Sequence, residues 1–299
     1  MSSVKTAIGI CAFNEGNNIR SLLRNLTSEQ DLPKDCRVLV VCSGCTDQTL
    51  EVVKEFQAKD KRIKPIVEKT RKGKAEALNR IFKDAVGSSD ALILVNADSL
   101  PEHGSIANLV SELTSTNAGV VFAQPVPFKG PDSLGYKIAV VIWRLHHLIS
   151  FFRNPKLSGE LCSIRTDCLR LIPEDVATDE PYIELAIREK GYEIRYLPNA
   201  IVHIRCPTSV GDLLKQRKRI WIGHMQFKRT TGFTVSTSSF GNVLRAVASL
   251  KPKEFFYAML GGVLEVAAYA QAKGSIRKGI VPYIWDPIRS TKTSMCVEG

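Results

Sequence analysis

The sequence predicts an α/β fold in which a mostly parallel, doubly wound sheet carries helices on both faces. Residues 6–12, 37–42 and 91–95 are short apolar runs between polar residues, which is the pattern of buried parallel strands. Between these runs, apolar residues recur at helical spacing, as in 19–26 and 75–82. Strands that alternate with helices favour a doubly wound sheet, and such sheets bind ligands at the carboxyl ends of their strands.

The pattern changes after residue 100, and we expect a second subdomain to begin near Pro101. Residues 120–123 predict another strand, and residues 134–152 form a long apolar segment with a basic centre. Residues 184–190 predict a helix that ends at Gly191. We therefore divide the chain into segments 1–100, 101–229 and 230–299.

The last segment contains two predicted helices, over residues 242–249 and 255–272. The second is only as long as the shortest membrane spans and includes Glu265, and a carboxylate is costly near the centre of a bilayer. We therefore expect a helix in the core or at a membrane surface, with a membrane span as the alternative.

Composition describes a globular chain of 299 residues with a formal net charge of +11. The charge points to an anionic partner, namely nucleic acid, a nucleotide diphosphate or an acidic membrane surface. The eight cysteines are scattered along a chain long enough to need no disulfides, so we expect free thiols. No secretion signal is recognisable at the start, so we expect a cytoplasmic protein. If the protein binds a membrane, we expect it to be peripheral at the cytoplasmic face.

Asn96, Ala97 and Asp98 directly follow the apolar run 91–95. A carboxylate at the carboxyl end of a strand can hold a divalent cation, and the cation can in turn neutralise a diphosphate. In the alternative reading, Asp98 caps the turn that follows.

Two loops between predicted strands and helices suit an anionic ligand. The loop 71–74, with the sequence RKGK, leads into a helix and can bind phosphate through ammonium groups, backbone amides and the helix amino terminus. A solvated basic loop is the alternative. Ser43 opens the other loop, in which Thr46 or Asp47 can cap the next helix.

These segments, in their order, resemble the donor half of the family 2 inverting glycosyltransferases, which have a GT-A fold. The order is ICAFNEGNNI, VVCSGCTDQT, RKGKAEALN and VNADS, and two later motifs extend the resemblance over residues 6–224. The resemblance implies that 1–100 binds a nucleotide sugar and that 101–229 binds the acceptor and carries the catalytic residues. It leaves 230–299 as a helical segment suited to a membrane surface.

In that family the first two loops hold the nucleotide base and ribose, and the residues of the basic loop here suit the phosphates of the donor. The donor-binding residues implied here are Ala12, Phe13, Asn14, Glu15, Ser43, Arg71, Lys74, Asn96 and Ala97. Family members usually have acidic residues where this chain has Cys42 and Ser43, so the identity of the base stays open.

The resemblance also implies a metal ion. Asn96 stands where the Asp-x-Asp motif of the family has its first carboxylate, and Asp98 keeps the position that contacts the metal. We expect Mg or Mn to bind partly through the donor diphosphate, so that cation and donor bind together.

The acceptor half resembles the family at VATDEPY, residues 176–182, where an acidic pair precedes a helix. Transfer to a hydroxyl with inversion needs a base, and either Asp179 or Glu180 can serve. Pro181 suits the first turn of a helix, so the same residues also read as a helix start.

Residues 216–221, QRKRIW, resemble the Gln-x-x-Arg-Trp motif of the family with one residue interposed. The resemblance assigns Gln216, Arg219, Trp221 and His224 to the acceptor channel and the leaving diphosphate. The extra residue, Ile220, turns the indole by ~100° if the segment is helical.

The sequence therefore predicts an inverting, metal-assisted glycosyltransferase with a nucleotide-sugar donor, a glycan or lipid-linked acceptor, a possible contact with an anionic membrane and no nucleic-acid partner. The alternative is a non-catalytic protein of the same fold that binds a nucleotide sugar or a membrane surface. A nucleotidyltransferase or dehydrogenase is disfavoured because no glycine-rich phosphate loop follows any strand.

Overall fold

The computed structural model describes residues 4–152, 155–234 and 240–291. Within these residues, eight strands form one sheet and helices cover both of its faces. The strands are β1 Thr6–Ala12, β2 Arg37–Ser43, β3 Ile63–Glu68, β4 Ala91–Val95, β5 Ser99–Pro101, β6 Ala118–Pro127, β7 Leu161–Arg165 and β8 Glu193–Ile204. The helices are α1 Gly16–Arg24, α2 Thr49–Lys59, α3 Lys74–Ala85, α4 Ser105–Ser115, α5 Leu134–Ser150, α6 Glu180–Glu189, α7 Val210–Thr231, α8 Phe240–Ala248 and α9 Pro252–Arg277.

The strand order in the sheet is β3-β2-β1-β4-β7-β6-β8-β5. β1 pairs in parallel with β2 and β4, and β2 pairs in parallel with β3, so the carboxyl ends of these four strands lie side by side along one rim of the sheet. β7 runs antiparallel to β4, with Leu161 opposite Val95, and therefore begins at that same rim. This mixed, mostly parallel sheet confirms the predicted α/β class.

Both faces of the central strands are buried, because successive side chains point to opposite sides of the sheet. Ile8 and Ile10 of β1 pack in the layer that includes α1, α2 and α4, whereas Ala7 packs in the layer that includes α3 and α6. Burying a side chain the size of isoleucine stabilises the fold by about 1.5–3 kcal/mol. The two-sided burial explains why the strands appear in the sequence as continuous apolar runs.

The apolar runs predicted β1, β2, β4 and the centre of β6, and the segment YEIRYLP, residues 192–198, predicted the first part of β8, but the three strands β3, β5 and β7 were missed. β3 and β5 are the two edges of the sheet, and β5 and β7 have only three and five residues. β3 contains Pro65, which an edge strand tolerates because it needs fewer ladder hydrogen bonds. The helix predicted over 184–190 begins earlier, at Glu180, with Pro181 in its first turn. The seven described cysteines are all free, as predicted.

The first two predicted segments contribute strands to a single sheet. β5 crosses the boundary expected near Pro101 and pairs with β8, while β4 pairs with β7. The first and second predicted segments are therefore joined by continuous backbone hydrogen bonding, and the division into segments stays a prediction.

The helix predicted over 255–272 is longer in the structure, where it forms α9. In the described part of the chain, α9 alone is long and apolar enough to cross a membrane by length and composition, and 22% of its most apolar window is buried in the protein. Leu264 and Ala268 face the protein interior, whereas the side chains of Val263 and Val266 are 68% and 70% exposed. One side of α9 is thus packed and the other is an exposed apolar surface.

Candidate functional site

The carboxyl ends of β1, β2 and β4 open into a pocket of about 620 Å³. Most of the predicted site residues line it: Ala12, Phe13, Glu15, Ser43, Arg71, Lys74, Asn96, Ala97, Asp98, Glu180, Gln216, Arg219 and His224. They come from distant parts of the chain and meet because parallel strands end at one edge of the sheet. The far wall of the pocket is formed by α5, α7 and the segment after α9.

Asn14 lies outside this pocket and fixes the loops that form it. Its backbone has a φ of 52°, and its Oδ1 accepts a hydrogen bond of 2.8 Å from the backbone amide of Thr46. Its Nδ2 donates to the hydroxyl of Thr46 at 3.1 Å. The side chain therefore ties the loop after β1 to the loop after β2.

Trp221 also lies outside the pocket. Its indole Nε1 donates a hydrogen bond of 2.8 Å to Glu265 of α9, and its ring packs edge-on against Tyr269 at 5.2 Å. Ile220, which occupies the expected tryptophan position, lines the pocket instead. The interposed residue has rotated the indole toward α9, as helical geometry requires.

The side of the pocket formed by the loops after β1, β2 and β3 combines an aromatic ring, a guanidinium group and an unpaired hydroxyl. The Arg71 guanidinium lies 3.8 Å from the centre of the Phe13 ring and donates a hydrogen bond of 2.6 Å to the carbonyl of Trp285. The Oγ of Ser43 is buried and has no hydrogen-bond partner in the described residues. A buried hydroxyl of this kind is costly unless a ligand pairs with it, which suits recognition of a nucleotide base.

Gly44 allows the loop after β2 to approach the basic loop. Its φ is +61°, and a Cβ at this position would lie 2.4 Å from the backbone nitrogen of Arg71. Gly87 also has a positive φ, of +76°, but a Cβ there would meet nothing within 4 Å. An alanine at Gly87 would therefore cost backbone strain alone, whereas an alanine at Gly44 would cost both backbone strain and a steric clash.

We expect Gly44→Ala to destabilise the fold and to weaken nucleotide binding, because the Cβ must push Arg71 away. Backbone strain alone costs about 1–2 kcal/mol, the loss expected for Gly87→Ala, and overpacking adds about 1–3 kcal/mol at Gly44. Chemical denaturation and nucleotide titration of both variants measure the difference. Equal losses of stability in the two variants would contradict the close approach.

The two acidic residues at the start of α6, the N-cap Asp179 and the first helical residue Glu180, have different surroundings. Asp179 is buried and pairs with Lys74 at 3.2 Å. Burial and the charge of Glu180 raise the pKa of Asp179. For Glu180, burial opposes ionisation, but Lys74, the backbone amide of Glu180 and Lys156 together lower its pKa. Glu180 is thus an ionised carboxylate on the large pocket, whereas Asp179 lines two smaller cavities beside it.

Glu160 is a site residue that the sequence did not reveal. It immediately precedes β7, and its Oε2 accepts hydrogen bonds from Asn96 Nδ2 at 2.8 Å and from Ser99 Oγ at 3.3 Å. Burial and the charge of Asp98 raise the pKa of Glu160 to about 7. The only sequence signal was an acidic residue before a short apolar run, and antiparallel pairing of β7 with β4 brings it to Asn96.

The acidic end of this site fits a weakly held divalent cation. Asp98 and Glu160 provide oxygen ligands, which Mg and Mn prefer, and Mg sites commonly use one or two carboxylates together with substrate phosphates. The described residues contain no group of three or more histidine, cysteine or acidic side chains placed to hold a metal. The donor set is therefore suited to a cation that binds together with a diphosphate.

Basic side chains dominate the rest of the pocket. Arg219 lies 6.0 Å from the Trp285 ring and close enough to Arg71 for its charge to lower the pKa of that group, although burial has the larger effect. Burial and the charges of Lys156 and Arg217 lower the pKa of His224 to about 2. His224 is thus neutral near pH 7 and can contribute a hydrogen bond to the pocket but no charge.

Comparison with known proteins identifies the relatives of this chain. Residues 7–179 match the sequence profile described as Glycosyl transferase family 2. A poly-beta-1,6-N-acetyl-D-glucosamine synthase of Staphylococcus epidermidis is 24% identical over 242 residues, covering 76% of this chain and 57% of that protein. An N-acetylglucosaminyltransferase of Rhizobium meliloti is 25% identical over 227 residues, covering 70% and 53%. The chain spans just over half the length of these curated relatives.

Two solved structures have a similar fold. The mannosyltransferase PcManGT from Pyrobaculum calidifontis, in complex with GDP-Man and Mn²⁺, has a TM-score of 0.59 and 23% identity, over 97% of this chain and 84% of that one. S. aureus TarS 1-349, in complex with UDP-GlcNAc, has a TM-score of 0.51 and 17% identity, over 92% of each chain. These similarities confirm that the sheet and its helices form a GT-A type fold.

Proposed function

Because the chain belongs to glycosyl transferase family 2, we propose that it transfers a sugar from a nucleoside-diphosphate sugar to an acceptor hydroxyl, with inversion and with the help of a cation. It is a glycosyltransferase, and the acceptor we propose is a glycan or a lipid-linked glycan. The observation that carries the proposal is that Glu180, a half-buried carboxylate whose surroundings favour its ionised form, shares one pocket with Asp98 and the residues of the proposed donor loops.

The proposed reaction is a single displacement. The acceptor oxygen attacks the anomeric carbon, its proton passes to the Glu180 carboxylate, and the bond from that carbon to the diphosphate oxygen breaks. Lys74 and Arg219 line the pocket where charge grows on the leaving nucleoside diphosphate, and fixed charges of this kind act without reorganisation. A divalent cation held by Asp98 and Glu160 would offset part of the same charge.

The contrast between the two acids supports Glu180 as the base. A base must be ionised and must reach the acceptor oxygen. Glu180 lines the large pocket and has a lowered pKa, while Asp179 is paired with Lys74 and has a raised pKa. A Cβ on Gly159 would lie 2.9 Å from the Oε1 of Glu180, so the glycine leaves room for this carboxylate.

We take UDP-GlcNAc as the first donor to test and GDP-mannose as the second. Both curated relatives are named for N-acetylglucosamine, TarS was solved with UDP-GlcNAc, and PcManGT was solved with GDP-Man. We expect a donor to raise the unfolding temperature in the presence of Mn or Mg and to have little effect after chelation, because bound ligand stabilises the folded state by mass action.

The test of the proposed function is a thermal-shift screen of both donors, with and without cation, followed by an assay of donor hydrolysis and transfer. Cation-dependent binding together with release of nucleoside diphosphate supports the enzyme. Binding without any turnover would favour the non-catalytic alternative, and the absence of binding by either donor would contradict the proposed site.

We also infer that α9 attaches the protein to an anionic membrane surface, at the cytoplasmic face. Phe256, Val263 and Val266 form part of its exposed apolar side, and exposed lysines stand at its two ends, at Lys253 and Lys273. An apolar helix face flanked by basic residues can bury itself at the headgroup boundary and attract anionic lipids.

Vesicle sedimentation tests this attachment. We expect the chain to sediment with vesicles that contain phosphatidylglycerol at low salt, and Val266→Glu to release it. Val67→Glu, at a valine that is 55% exposed on the edge strand β3, is the matched control and should not change binding. Absence of wild-type sedimentation with anionic vesicles at low salt would contradict the inference.

A further inference from the structure

A second group of basic side chains lies in the large pocket, apart from those assigned to the donor. His146 of α5, Lys156 of the loop before β7, and Arg217 and His224 of α7 all line this pocket, and we call these four residues the distal basic cluster. Arg217 and His224 are seven residues apart and therefore share one face of α7. The other two members of the cluster, His146 and Lys156, come from other elements, so the cluster depends on the tertiary fold.

The cluster is separate from the cations on the donor side. Arg217 and Arg219 are two positions apart on α7, which places their side chains ~200° apart around the helix. Arg219 points toward Trp285, near Arg71, whereas Arg217 forms an ion pair with Glu265 of α9. The two arginines thus serve different parts of the pocket.

Charge in the distal basic cluster is only partly balanced. Arg217 has its carboxylate partner, whereas Lys156 forms no ion pair within 4.0 Å in the described parts of the chain and feels the charges of Glu180, Glu184 and Glu265 only from a greater distance. Burial, reinforced by Lys156 and Arg217, lowers the pKa of His146 to about 3, so both imidazoles of the cluster are neutral near pH 7. The Nδ1 of His146 is also buried with no hydrogen-bond partner among the described residues.

A partly buried ammonium beside a guanidinium is unfavourable unless an anion joins them. Two neutral imidazoles beside these cations add hydrogen-bonding groups without adding charge, which suits the oxygens of a phosphate. The wall next to the cluster includes apolar side chains from α5 and α7, namely Ile142, Trp143 and Leu213. An occupant with one anionic group and a larger uncharged part matches this lining.

We propose that the distal basic cluster binds a phosphate group carried by the acceptor, so that the substrate class is a phosphate-bearing acceptor. The proposal rests on the proposed function, because it assigns the part of the pocket beyond the donor to the acceptor. Lys156 lies close enough to Glu180 to lower its pKa, so a phosphate at the cluster would hold the acceptor near the base. The phosphate comes either from the lipid phosphate of a lipid-linked glycan, whose sugar supplies the acceptor hydroxyl, or from a phosphorylated glycan.

The experiment uses the full chain saturated with UDP and Mg, so that the donor site is filled. Isothermal titration calorimetry measures the binding of N-acetylglucosamine 6-phosphate and of geranyl phosphate, with N-acetylglucosamine and geraniol as their uncharged counterparts. Lys156→Gln removes a charge that has no ion-pair partner in the described structure, and Arg217→Lys keeps the pair with Glu265 but removes the planar guanidinium. Lys228→Gln, at an exposed lysine on the same helix and outside the pocket, is the matched control.

We expect at least one phosphate probe to bind the UDP-loaded protein and its uncharged counterpart to bind far more weakly. Lys156→Gln should weaken the binding of the phosphate probe by about 10- to 100-fold, since a hydrogen bond to a charged group is lost. Lys228→Gln should leave the affinity for the probe unchanged. UDP affinity should be the same in all variants. The preferred probe then distinguishes a lipid phosphate from a phosphorylated glycan.

Three results would overturn the proposal while leaving the proposed function intact. These are no binding of either phosphate probe to the UDP-loaded protein, binding only when UDP is absent, and binding that is unchanged in Lys156→Gln. Failure of the wild-type chain to bind UDP, GDP or their sugars is a different result, because it contradicts the proposed function itself.

Discussion

Glu180→Gln is expected to abolish sugar transfer while leaving the affinity for the donor close to that of the wild type. The amide keeps the shape of the side chain but cannot accept the proton of the acceptor hydroxyl. General-base catalysis contributes about 10²- to 10⁴-fold to a rate, so transfer should fall by that factor. Measuring kcat together with nucleotide-sugar affinity separates the loss of the base from the loss of the site.

Asp179→Asn is the control for this assignment, because it changes the neighbouring acid by the same chemistry. Its main expected effect is on donor binding, since the substitution removes the charge that pairs with Lys74 at 3.2 Å. A loss of transfer that is larger in Asp179→Asn than in Glu180→Gln would reverse the assignment of the base.

The pH dependence of transfer gives a further check on Glu180. Burial opposes ionisation of this carboxyl, but the surrounding positive charges lower its pKa below the usual 4.5, so the basic form is present above that value and is lost only as the pH falls through it. We therefore expect no loss of kcat attributable to the base between pH 8 and pH 6. A base with an apparent pKa near 7 would point instead to another carboxyl, and Glu160 has such a value.

Asp98→Ala is expected to abolish both measurable transfer and the effect of Mn or Mg on nucleotide binding. Asp98 is the acid of the Asn96-Ala97-Asp98 segment, which lines the pocket where we propose that the diphosphate and its cation bind. Each electrostatic contribution of this kind is worth about 10²- to 10³-fold in rate. Calorimetric titration with UDP, with and without Mn, provides a readout that does not depend on turnover.

Asp31→Ala is the matched control for Asp98→Ala, because the Asp31 side chain is 85% exposed and lies outside the pocket. It should bind UDP with the same cation dependence as the wild type. Transfer by Asp98→Ala at the wild-type rate would contradict the assignment of Asp98 as the metal ligand, whatever the effect of the substitution on stability.

The central strands and the loops at their ends could be predicted from the sequence because their signals are local. β1, β2 and β4 are buried on both faces, and this burial produces apolar runs that are visible without a partner strand. The resemblance then added the order of the donor motifs. The pocket collects nearly all of these residues, because a parallel sheet fixes where its strands end.

The edge strands and the directions of individual side chains could not be predicted from such local signals in the sequence. In β3 only the first and last residues, Ile63 and Glu68, are buried, and the strand contains Pro65, so it carries no long apolar run. The direction of Trp221 depends on the rotation of α7 and on Glu265, which lies in another helix. Asn14 matched a donor motif, but its hydrogen bonds to Thr46 give it a structural position.

The sequence by itself determined the fold class and singled out the proposed donor loops and the acidic pair, because each is encoded by neighbouring residues with a fixed period or order. Only the tertiary structure separated Asp179 from Glu180, brought Glu160 to Asn96, and joined Lys156 to Arg217. These three results depend on burial and on charges from distant segments, and a pKa or a charge balance is a property of the assembled surroundings.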